Sequence, residues 1–346
     1  MGLVESIDHF DGFAVITVLI ERRTKERKEL LMPILCVSCF FMSSLIDNLS
    51  ATIVCLKLLR HTVGHNRHLR HTVGGLVVIA ANAGGAWSPI GDVTTTMLWL
   101  ADKITVTATI SWLLLPACVT AGLPLMGFWW EARKAANSLN EPTVDDEADF
   151  DDTLDPEITL AKVAVLVLGI AGMVMVPVLK MCTGLPPYLG MLLALGVLWF
   201  VTDTLSFQDF ARTSDDSRSA AGTPKTPAPP LAQGRPSVVD ALHKMDITGL
   251  LFFVGVLLAV GALESSGVLE RYAKFLVALC GHSPMLICTL LGVSSAVVDN
   301  VPLVQAAINM FGDSTPPDDP LWQLIALAAA TGGSILSVGS IAGVTL

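Results

Sequence analysis

Long apolar stretches alternate with short polar connections along this chain. A helix that crosses the hydrocarbon core of a bilayer needs about 20 residues. By that measure the candidate membrane stretches are residues 1–20, 31–59, 74–100, 105–130, 160–180, 186–203, 247–263, 272–311 and 321–346. The polar connections lie at 21–30, 60–73, 131–159 and 203–246. The pattern predicts an all-α polytopic membrane protein.

Most of the Lys and Arg residues fall in or beside these four connections, which places all four on the positive, cytoplasm-like side. Because the connections 21–30 and 60–73 lie on the same side, residues 31–59 between them must enter the membrane and return. These 29 residues are too few for two spans and too many for one. We therefore expect a re-entrant helical hairpin there, with its tip at 45–50. When the spans are counted onward in the same way, the span 247–263 brings the chain to the opposite side of the membrane. A second hairpin at 275–311 should therefore enter from that side.

Three pairs of motifs repeat in order along the chain. "GLVES" matches "GALES", "SLIDN" matches "AVVDN", and "AGGAWSPIGD" matches "TGGSILSVGS", with offsets of 259, 252 and 248 residues. With opposite hairpin orientations, this predicts an inverted-topology repeat with a binding site near the membrane midplane. The expected organisation is a first repeat at 1–130, an acidic loop at 131–159, connecting helices at 160–203, a disordered polar insertion at 204–246 and a second repeat at 247–346.

Composition supports the membrane assignment and excludes a soluble binding module. Hydrophobic residues make up 52% of the chain and charged residues 15%, and the mean hydropathy is +0.63. The net charge of −10 arises mainly from nine carboxylates within 141–157, a stretch typical of a solvated loop. The seven cysteines are scattered through apolar segments, which favours buried small side chains over a disulfide framework or a zinc site.

Each predicted hairpin carries an aspartate at its tip, Asp47 in the first and Asp299 in the second. An unpaired carboxylate at membrane depth costs roughly 2.5 to 3.5 kcal/mol on insertion scales, so it requires a cation, a proton or a partner. The two aspartates are therefore candidate cation ligands. The alternative is an interhelical hydrogen bond that holds the fold.

Two glycine-rich stretches predict broken helices. In "NAGGAWSPIGDVTTT" the glycines and Pro89 should unwind the helix and free carbonyl oxygens. Hard cations prefer oxygen ligands, and this stretch offers side-chain oxygens on Asn82, Ser88, Asp92, Thr94 and Thr95. The second stretch has Thr331, Ser334 and Ser340 but no carboxylate, so the two sites should differ. Close helix packing at the glycines is the alternative.

Two glutamates, Glu5 and Glu264, occupy equivalent places near the end of a predicted span. Either could handle protons, because burial disfavours the charged form of a carboxyl group. A solvated carboxylate at the membrane surface is the competing interpretation.

These segments resemble the signature segments of the NhaD-type sodium/proton antiporters, a branch of an ion transporter superfamily that also holds arsenite and dicarboxylate carriers. The most specific part is "NAGGAWSPIGDVTTT", and the similarity runs over most of the chain. It implies exchange of Na+ or Li+ for H+ with an elevator-like motion. It implies the plastid envelope for a plant or algal protein and otherwise the plasma membrane. It also suggests that the family's first and last membrane segments are missing here.

The resulting hypothesis is a secondary transporter rather than an enzyme. Asp47 and Asp299 would alternate between Na+ and protons, and Na+ would be held at both DN pairs. The remaining ligands would be Asn48, Asn300, Asn82, Ser88, Asp92 and Thr94. No cofactor is expected; the partners are the lipid bilayer and small cations, without nucleic acid, and a homodimer is left open.

Two other functions compete with this hypothesis. A Na+-driven carrier of an anion, of the dicarboxylate or arsenite type, would keep the fold. An intramembrane aspartyl protease would also need two membrane aspartates, but its Gly-x-Gly-Asp arrangement is not matched, because "SPIGD" lacks the first glycine.

Overall fold

The computed structural model describes residues 2–10, 12–25, 30–63, 67–138, 160–219, 247–281, 283–296, 300–312 and 314–335. Every regular element within these ranges is an α-helix, which confirms the all-α class. In chain order the helices are α1 Gly2–His9, α2 Gly12–Lys25, α3 Leu31–Ser43, α4 Asn48–Val63, α5 Arg67–Ala86, α6 Val93–Leu100, α7 Val106–Ser138, α8 Leu160–Thr183, α9 Pro187–Ser219, α10 Ile247–Ser265, α11 Val268–Cys280, α12 Pro284–Ser295, α13 Asn300–Phe311 and α14 Pro320–Gly332.

Three of the described helices contain segments long and apolar enough to cross a membrane. These segments are Val106–Trp129, Leu160–Thr183 and Pro187–Thr204, and at most 28% of each apolar window is buried inside the protein. Large apolar side chains on them face outward, among them Leu115 and Phe200, each 73% exposed. Apolar surface of this extent requires lipid around it. The chain is therefore an integral membrane protein.

The chain divides into two compact units. The first comprises Met1–Val18 and Asp152–Asp246, and in it α1 packs against α8 and α9. Its core includes the buried side chains of Ile7, Met173 and Leu198. The second unit comprises Leu19–Asp151 and Ile247–Leu346 and contains both predicted hairpins. The compact units do not follow the repeat boundaries expected from the sequence, and those boundaries stay a prediction.

Within the second unit the same helix order occurs twice. Helices α3 and α4 are joined by the short connection 44–47, and α5 packs against both. In the same way α12 and α13 form a pair that packs against α14. The second pair begins at Pro284 rather than near residue 275, because Gly281 adopts a left-handed φ of 63° and Pro284 starts a new helix at its first position.

Two contacts inside each copy match position for position. The Ser43 hydroxyl donates to the Ala81 carbonyl at 2.6 Å, and the Ser295 hydroxyl donates to the Ala329 carbonyl at 3.0 Å. A β-carbon at Gly84 would collide with the backbone of Phe40, and one at Gly332 would collide with the backbone of Gly292. These pairs are separated by the offsets of the sequence motifs, 252 residues for the hairpins and 248 for the broken helices.

Several connections that read as polar in the sequence are helical in the structure. α4 runs to Val63 and α5 begins at Arg67, so most of 60–73 is helix, and α9 continues to Ser219 into the insertion expected to be disordered. Arg, Leu, Ala and Gln in these stretches favour helix when a preceding turn is already formed. Conversely, the apolar stretch 1–20 is divided between α1 and α2. Most of the acidic loop and residues 220–246 lie outside the described residues.

Candidate functional site

The tip of the first hairpin is organised by Asp47. The amides of Leu45 and Ile46 both bond to the Met42 carbonyl and close the end of α3. Asp47 then accepts from the Ser50 amide at 2.9 Å and from the Ser50 hydroxyl at 2.9 Å, which makes it the N-cap of α4. Its described hydrogen bonds are thus local to α4 rather than interhelical, and its half-buried carboxylate is held at the tip.

The helix break in the first copy lies between α5 and α6, at 87–92. Asp92 has the extended backbone of an N-cap, with φ −135° and ψ 150°, and its carboxylate accepts from the Thr94 amide at 3.3 Å. Asp92 is 2% exposed. The partial positive charge at the start of α6 and this bond together stabilise a buried carboxylate.

Two threonine hydroxyls hold the broken segment in shape. Thr95 donates to the carbonyls of Ser88 at 2.8 Å and Asp92 at 2.9 Å, and Thr96 donates to that of Pro89 at 3.0 Å. Three carbonyls in and beside the break, those of Ser88, Pro89 and Asp92, therefore accept hydrogen bonds from hydroxyls. The fully buried hydroxyl of Thr94, by contrast, has no hydrogen-bond partner within the described part of the chain, so it can serve as a ligand beside Asp92.

The two copies meet at Asn82, which is completely buried. Its side-chain oxygen accepts from the Asn48 amide at 3.0 Å, and its own amide donates to the Ser334 hydroxyl at 2.9 Å. Asn48 begins α4, Asn82 lies near the end of α5, and Ser334 follows α14. Three residues that the sequence singled out from three separate motifs are thus joined in one hydrogen-bonded chain.

The second copy contributes fewer groups within the described residues. Asn300, the counterpart of Asn48, is 7% exposed at the start of α13. The Thr331 hydroxyl donates to the Leu327 carbonyl of its own helix at 2.6 Å, so it acts locally. Asp299 and Ser340 lie outside the described residues.

The two candidate proton-handling glutamates are not part of this cluster. Glu5 lies on α1 in the first compact unit. Glu264 lies near the end of α10 in the second unit, where it is exposed and accepts from the Asn309 amide at 2.7 Å. Their roles stay predictions.

Sequence reasoning missed several buried polar residues. Ser43 and Ser295 each precede a tip aspartate by four residues, a repeated spacing that could have marked them. Gln323 is 2% exposed on α14, and neither its side-chain nitrogen nor its oxygen has a hydrogen-bond partner among the described residues. A single amide inside the apolar run "LWQLIALAAA" was the available signal.

The buried carboxylate of Asp92 and the buried amide of Asn82 lie where two similarly ordered groups of helices meet in this integral membrane protein. Polar groups at the interface of repeated helical units are typical of secondary transporters. A model of the Citrate transporter family (CitMHS) matches residues 1–332. Sodium/proton antiporter 2 of Arabidopsis thaliana is 39% identical over 99% of this chain and 74% of its own length. Sodium/proton antiporter 1 of the same plant is 42% identical over 99% of this chain.

The Na(+)/H(+) antiporter NhaD of Alkalimonas amylolytica is 32% identical over 89% of this chain and 60% of its own length. The chain therefore belongs to the NhaD-type sodium/proton antiporter family, within the wider grouping that the Citrate transporter model describes. It spans about half of the length of Sodium/proton antiporter 1, 54%. The names of these relatives are those of transporters, not of enzymes.

Proposed function

We propose that this chain carries the cation-exchange core of an antiporter that moves Na+ or Li+ in one direction and H+ in the other. The observation that supports this most is the hydrogen-bonded chain Asn48–Asn82–Ser334, which joins the two copies through the buried Asn82. Asn48 directly follows the cap residue Asp47, and the cap residue Asp92 is buried at the helix break. Amide, hydroxyl and carboxylate oxygens are the ligands that small hard cations prefer.

Exchange follows from competition for the same carboxylates. A protonated carboxyl group has lost the charge that holds a cation, so binding of Na+ at Asp47, Asp92 or Asp299 requires release of a proton, and rebinding of a proton expels Na+. Asn48, Asn300, Ser88 and Thr94 would complete the cation's coordination. Because a buried, unneutralised carboxylate is costly, the site favours having either a cation or a proton present.

The duplicated helix order supports an inverted-topology transporter. In this proposal α3–α4 and α12–α13 are re-entrant hairpins that enter from opposite sides, and the hairpins with their broken helices move together as an elevator. The membrane of residence, plastid envelope or plasma membrane, and assembly as a homodimer belong to the same proposal.

The match to the Citrate transporter model makes an anion carrier the second candidate. Charge around the site argues against it. There is no Lys or Arg in residues 31–56, 74–102 or 275–346, which include both hairpin tips and both glycine-rich stretches, whereas each copy has at least one aspartate there. An anionic substrate would need basic or many hydroxyl groups at this depth.

The proposal is tested in acid-interior proteoliposomes by following luminal pH as Na+, Li+, K+ or citrate is added. The key variant is Asp47→Asn, because Asn is as good an N-cap as Asp and removes only the charge. Asp319→Asn is the matched control, since Asp319 caps α14 through the Leu321 amide at 2.8 Å and lies outside the cluster.

We expect alkalinisation by Na+ or Li+ in the wild-type chain and in Asp319→Asn, and none in Asp47→Asn. Exchange that survives in Asp47→Asn would contradict the role of this carboxylate. A pH response to citrate but not to Na+ or Li+ would favour the anion carrier.

A further inference from the structure

A cavity of about 970 Å³ lies where the ends of three helices come together. Lys103, which follows α6, donates to the carbonyl of Gly312, which follows α13, at 2.6 Å. Glu264, near the end of α10, accepts from the Asn309 amide in the last turn of α13 at 2.7 Å. These four residues all line the cavity. It therefore lies at the ends of these helices, away from the first hairpin tip and its helix break.

The charges that line this cavity balance one another. Two lysines, Lys103 and Lys274, and two glutamates, Glu264 and Glu270, are part of the lining. Lys274 and Glu270 pair with each other at the surface, with side chains 74% and 70% exposed. Lys103 and Glu264 both have only neutral partners among the described residues. The cavity thus offers one positive and one negative group to a ligand, which favours a zwitterion over a cation or an anion.

Both groups keep hydrogen-bonding capacity beyond their described contacts. A lysine ammonium has more donors than the one that Lys103 directs to the Gly312 carbonyl. A carboxylate accepts several hydrogen bonds, and the described one to Glu264 comes from Asn309. A phosphate can therefore accept from Lys103 while an ammonium donates to Glu264, and both hydrogen bonds are charge-assisted.

The rest of the lining distinguishes between kinds of ammonium group. Quaternary ammonium ligands such as choline are typically held by aromatic rings. The described residues that line the cavity include no aromatic side chain, whereas Glu264 accepts hydrogen bonds. A primary ammonium donates such bonds and a choline group does not. The lining therefore favours an ethanolamine over a choline headgroup.

Helix α11, which forms one wall of the cavity, has the exposure pattern of a helix at a membrane surface. Its 13 residues are too few to cross the hydrocarbon core. Leu269 and Leu276 are buried in the protein, whereas Phe275 and Leu279 are 60% and 62% exposed. The charged side chains of its ion pair are exposed on another side of the helix. Exposed apolar and charged sides on one short helix are typical of the membrane interface, where lipid headgroups lie.

We propose that this cavity binds a phospholipid with a zwitterionic headgroup of the phosphatidylethanolamine kind. The headgroup phosphate pairs with Lys103, and the primary ammonium pairs with Glu264. Asn309 is a positioning residue that holds the Glu264 carboxylate, and the acyl chains lie against the exposed apolar side of α11. The inference goes beyond the proposed cation exchange and does not depend on it.

The test measures which lipid the purified chain retains. The chain is incubated in neutral detergent micelles that contain equal amounts of phosphatidylethanolamine, phosphatidylcholine and phosphatidylglycerol. It is then repurified by size-exclusion chromatography, and the lipid in the protein peak is quantified by mass spectrometry. The wild type should retain phosphatidylethanolamine in preference to the other two, because only this lipid combines a phosphate with a primary ammonium. Equal retention of the three lipids would overturn the proposal.

A change of headgroup preference in Glu264→Gln separates recognition from packing. Glutamine keeps an oxygen that can accept from Asn309 and removes the negative charge. Retention of phosphatidylethanolamine should fall about 5-fold, and retention of the anionic phosphatidylglycerol should rise, because the positive charge of Lys103 is then unbalanced. Loss of packing alone would lower the retention of every lipid without changing the preference, and that result would overturn the proposal.

Two double variants form a matched comparison, since each removes one charge of each sign from the same cavity. Lys103→Gln with Glu264→Gln should abolish the preference for phosphatidylethanolamine. Lys274→Gln with Glu270→Gln should preserve it, because these two charges already pair with each other. An unchanged preference in the first double variant, or an equal loss in both, would overturn the assignment.

A soluble headgroup distinguishes a membrane lipid from a small solute. Phosphoethanolamine carries the same phosphate and primary ammonium without acyl chains. At a concentration equal to that of the lipid it should leave the retained phosphatidylethanolamine unchanged, because it lacks the apolar contacts with α11. Displacement of the lipid at that concentration would identify a soluble zwitterion as the ligand and overturn the lipid site.

Discussion

The helices α3–α5 and the helices α12–α14 share the same packing contacts but differ in their polar residues. Both hold the first hairpin helix against the broken helix with a serine hydroxyl and a backbone contact at glycine. At the positions of the proposed cation ligands the two sequences differ. The counterpart of Asn82 is Ala330, and the counterpart of Asp92 is Ser340. The contacts that set the helix geometry are thus the same in the two copies, whereas Asn82 and Asp92 of the first copy have no counterpart of the same residue type in the second.

The difference is visible where the two copies meet. Asn82 of the first copy reaches across to Ser334 of the second at 2.9 Å, while the second copy has an alanine at the position that would make the reverse bond. The contact is one-sided. We therefore expect substitutions at the shared serine and glycine contacts to reduce stability equally in the two copies. Substitutions at Asn82 and at its counterpart Ala330 should have unequal effects.

The largest loss of folded protein should come from adding a side chain at Gly84 or Gly332, where the backbones of two helices are in contact. Gly84→Val and Gly332→Val each place side-chain atoms against a neighbouring backbone that cannot move aside, and each should cost about 3 kcal/mol or more. We expect little folded protein from either variant by size-exclusion chromatography in detergent. Gly75→Val is the control on α5, because a β-carbon there meets nothing within 4 Å. A well-folded Gly332→Val beside a misfolded Gly84→Val would show that the scaffold is not shared.

A smaller but still large effect should follow from loss of the one-sided contact. Asn82→Leu leaves the amide of Asn48 and the hydroxyl of Ser334 without their partner, at a cost of about 1 to 3 kcal/mol. We expect Na+/H+ exchange to fall about 10-fold or more. The matched change in the second copy, Ala330→Leu, adds bulk at the equivalent place without removing a bond. If both variants reduced exchange equally, bulk rather than the hydrogen bonds would be responsible.

The smallest decrease in stability should follow from removing the hydroxyl of Ser43 or of Ser295, each of which bonds two helices together. Ser43→Ala and Ser295→Ala each remove one buried hydrogen bond, worth about 1 kcal/mol. We expect similar decreases in thermal stability in detergent from the two variants. Ser111→Ala, at an exposed hydroxyl on α7, serves as control. A large decrease from one variant and none from the other would contradict equivalent roles.

Local motifs made much of this architecture predictable. Paired "DN" tips and glycine-rich breaks were visible because a polar residue or a glycine stands out in an apolar run. The continuation of α4, α5 and α9 into polar connections was not visible, since polarity marks exposure rather than helix ends. The capping by Asp47 could not be separated from a ligand role, because both need the same carboxylate at the same place.

The hydrogen bond between Asn82 and Ser334 could not be predicted from the sequence. Asn82 and Ser334 are 252 residues apart, and only the folded packing of α5 against α14 brings them together. The hydrogen bond between Glu264 and Asn309, which are 45 residues apart, depends on packing in the same way. Such pairings come from tertiary geometry, which local patterns do not encode.

The central claim is that carboxylates of the hairpin tip and the helix break hold the cation, with Asp92 as a buried ligand, and direct Na+ binding tests it. Isothermal titration of the purified chain with NaCl in choline-balanced buffer would compare the wild type with Asp92→Asn and Asp319→Asn. Both substitutions keep a helix N-cap and remove one charge, but only Asp92 lies at the break. We predict saturable Na+ binding in the wild type and Asp319→Asn and none in Asp92→Asn. Unchanged Na+ binding in Asp92→Asn would contradict the claim.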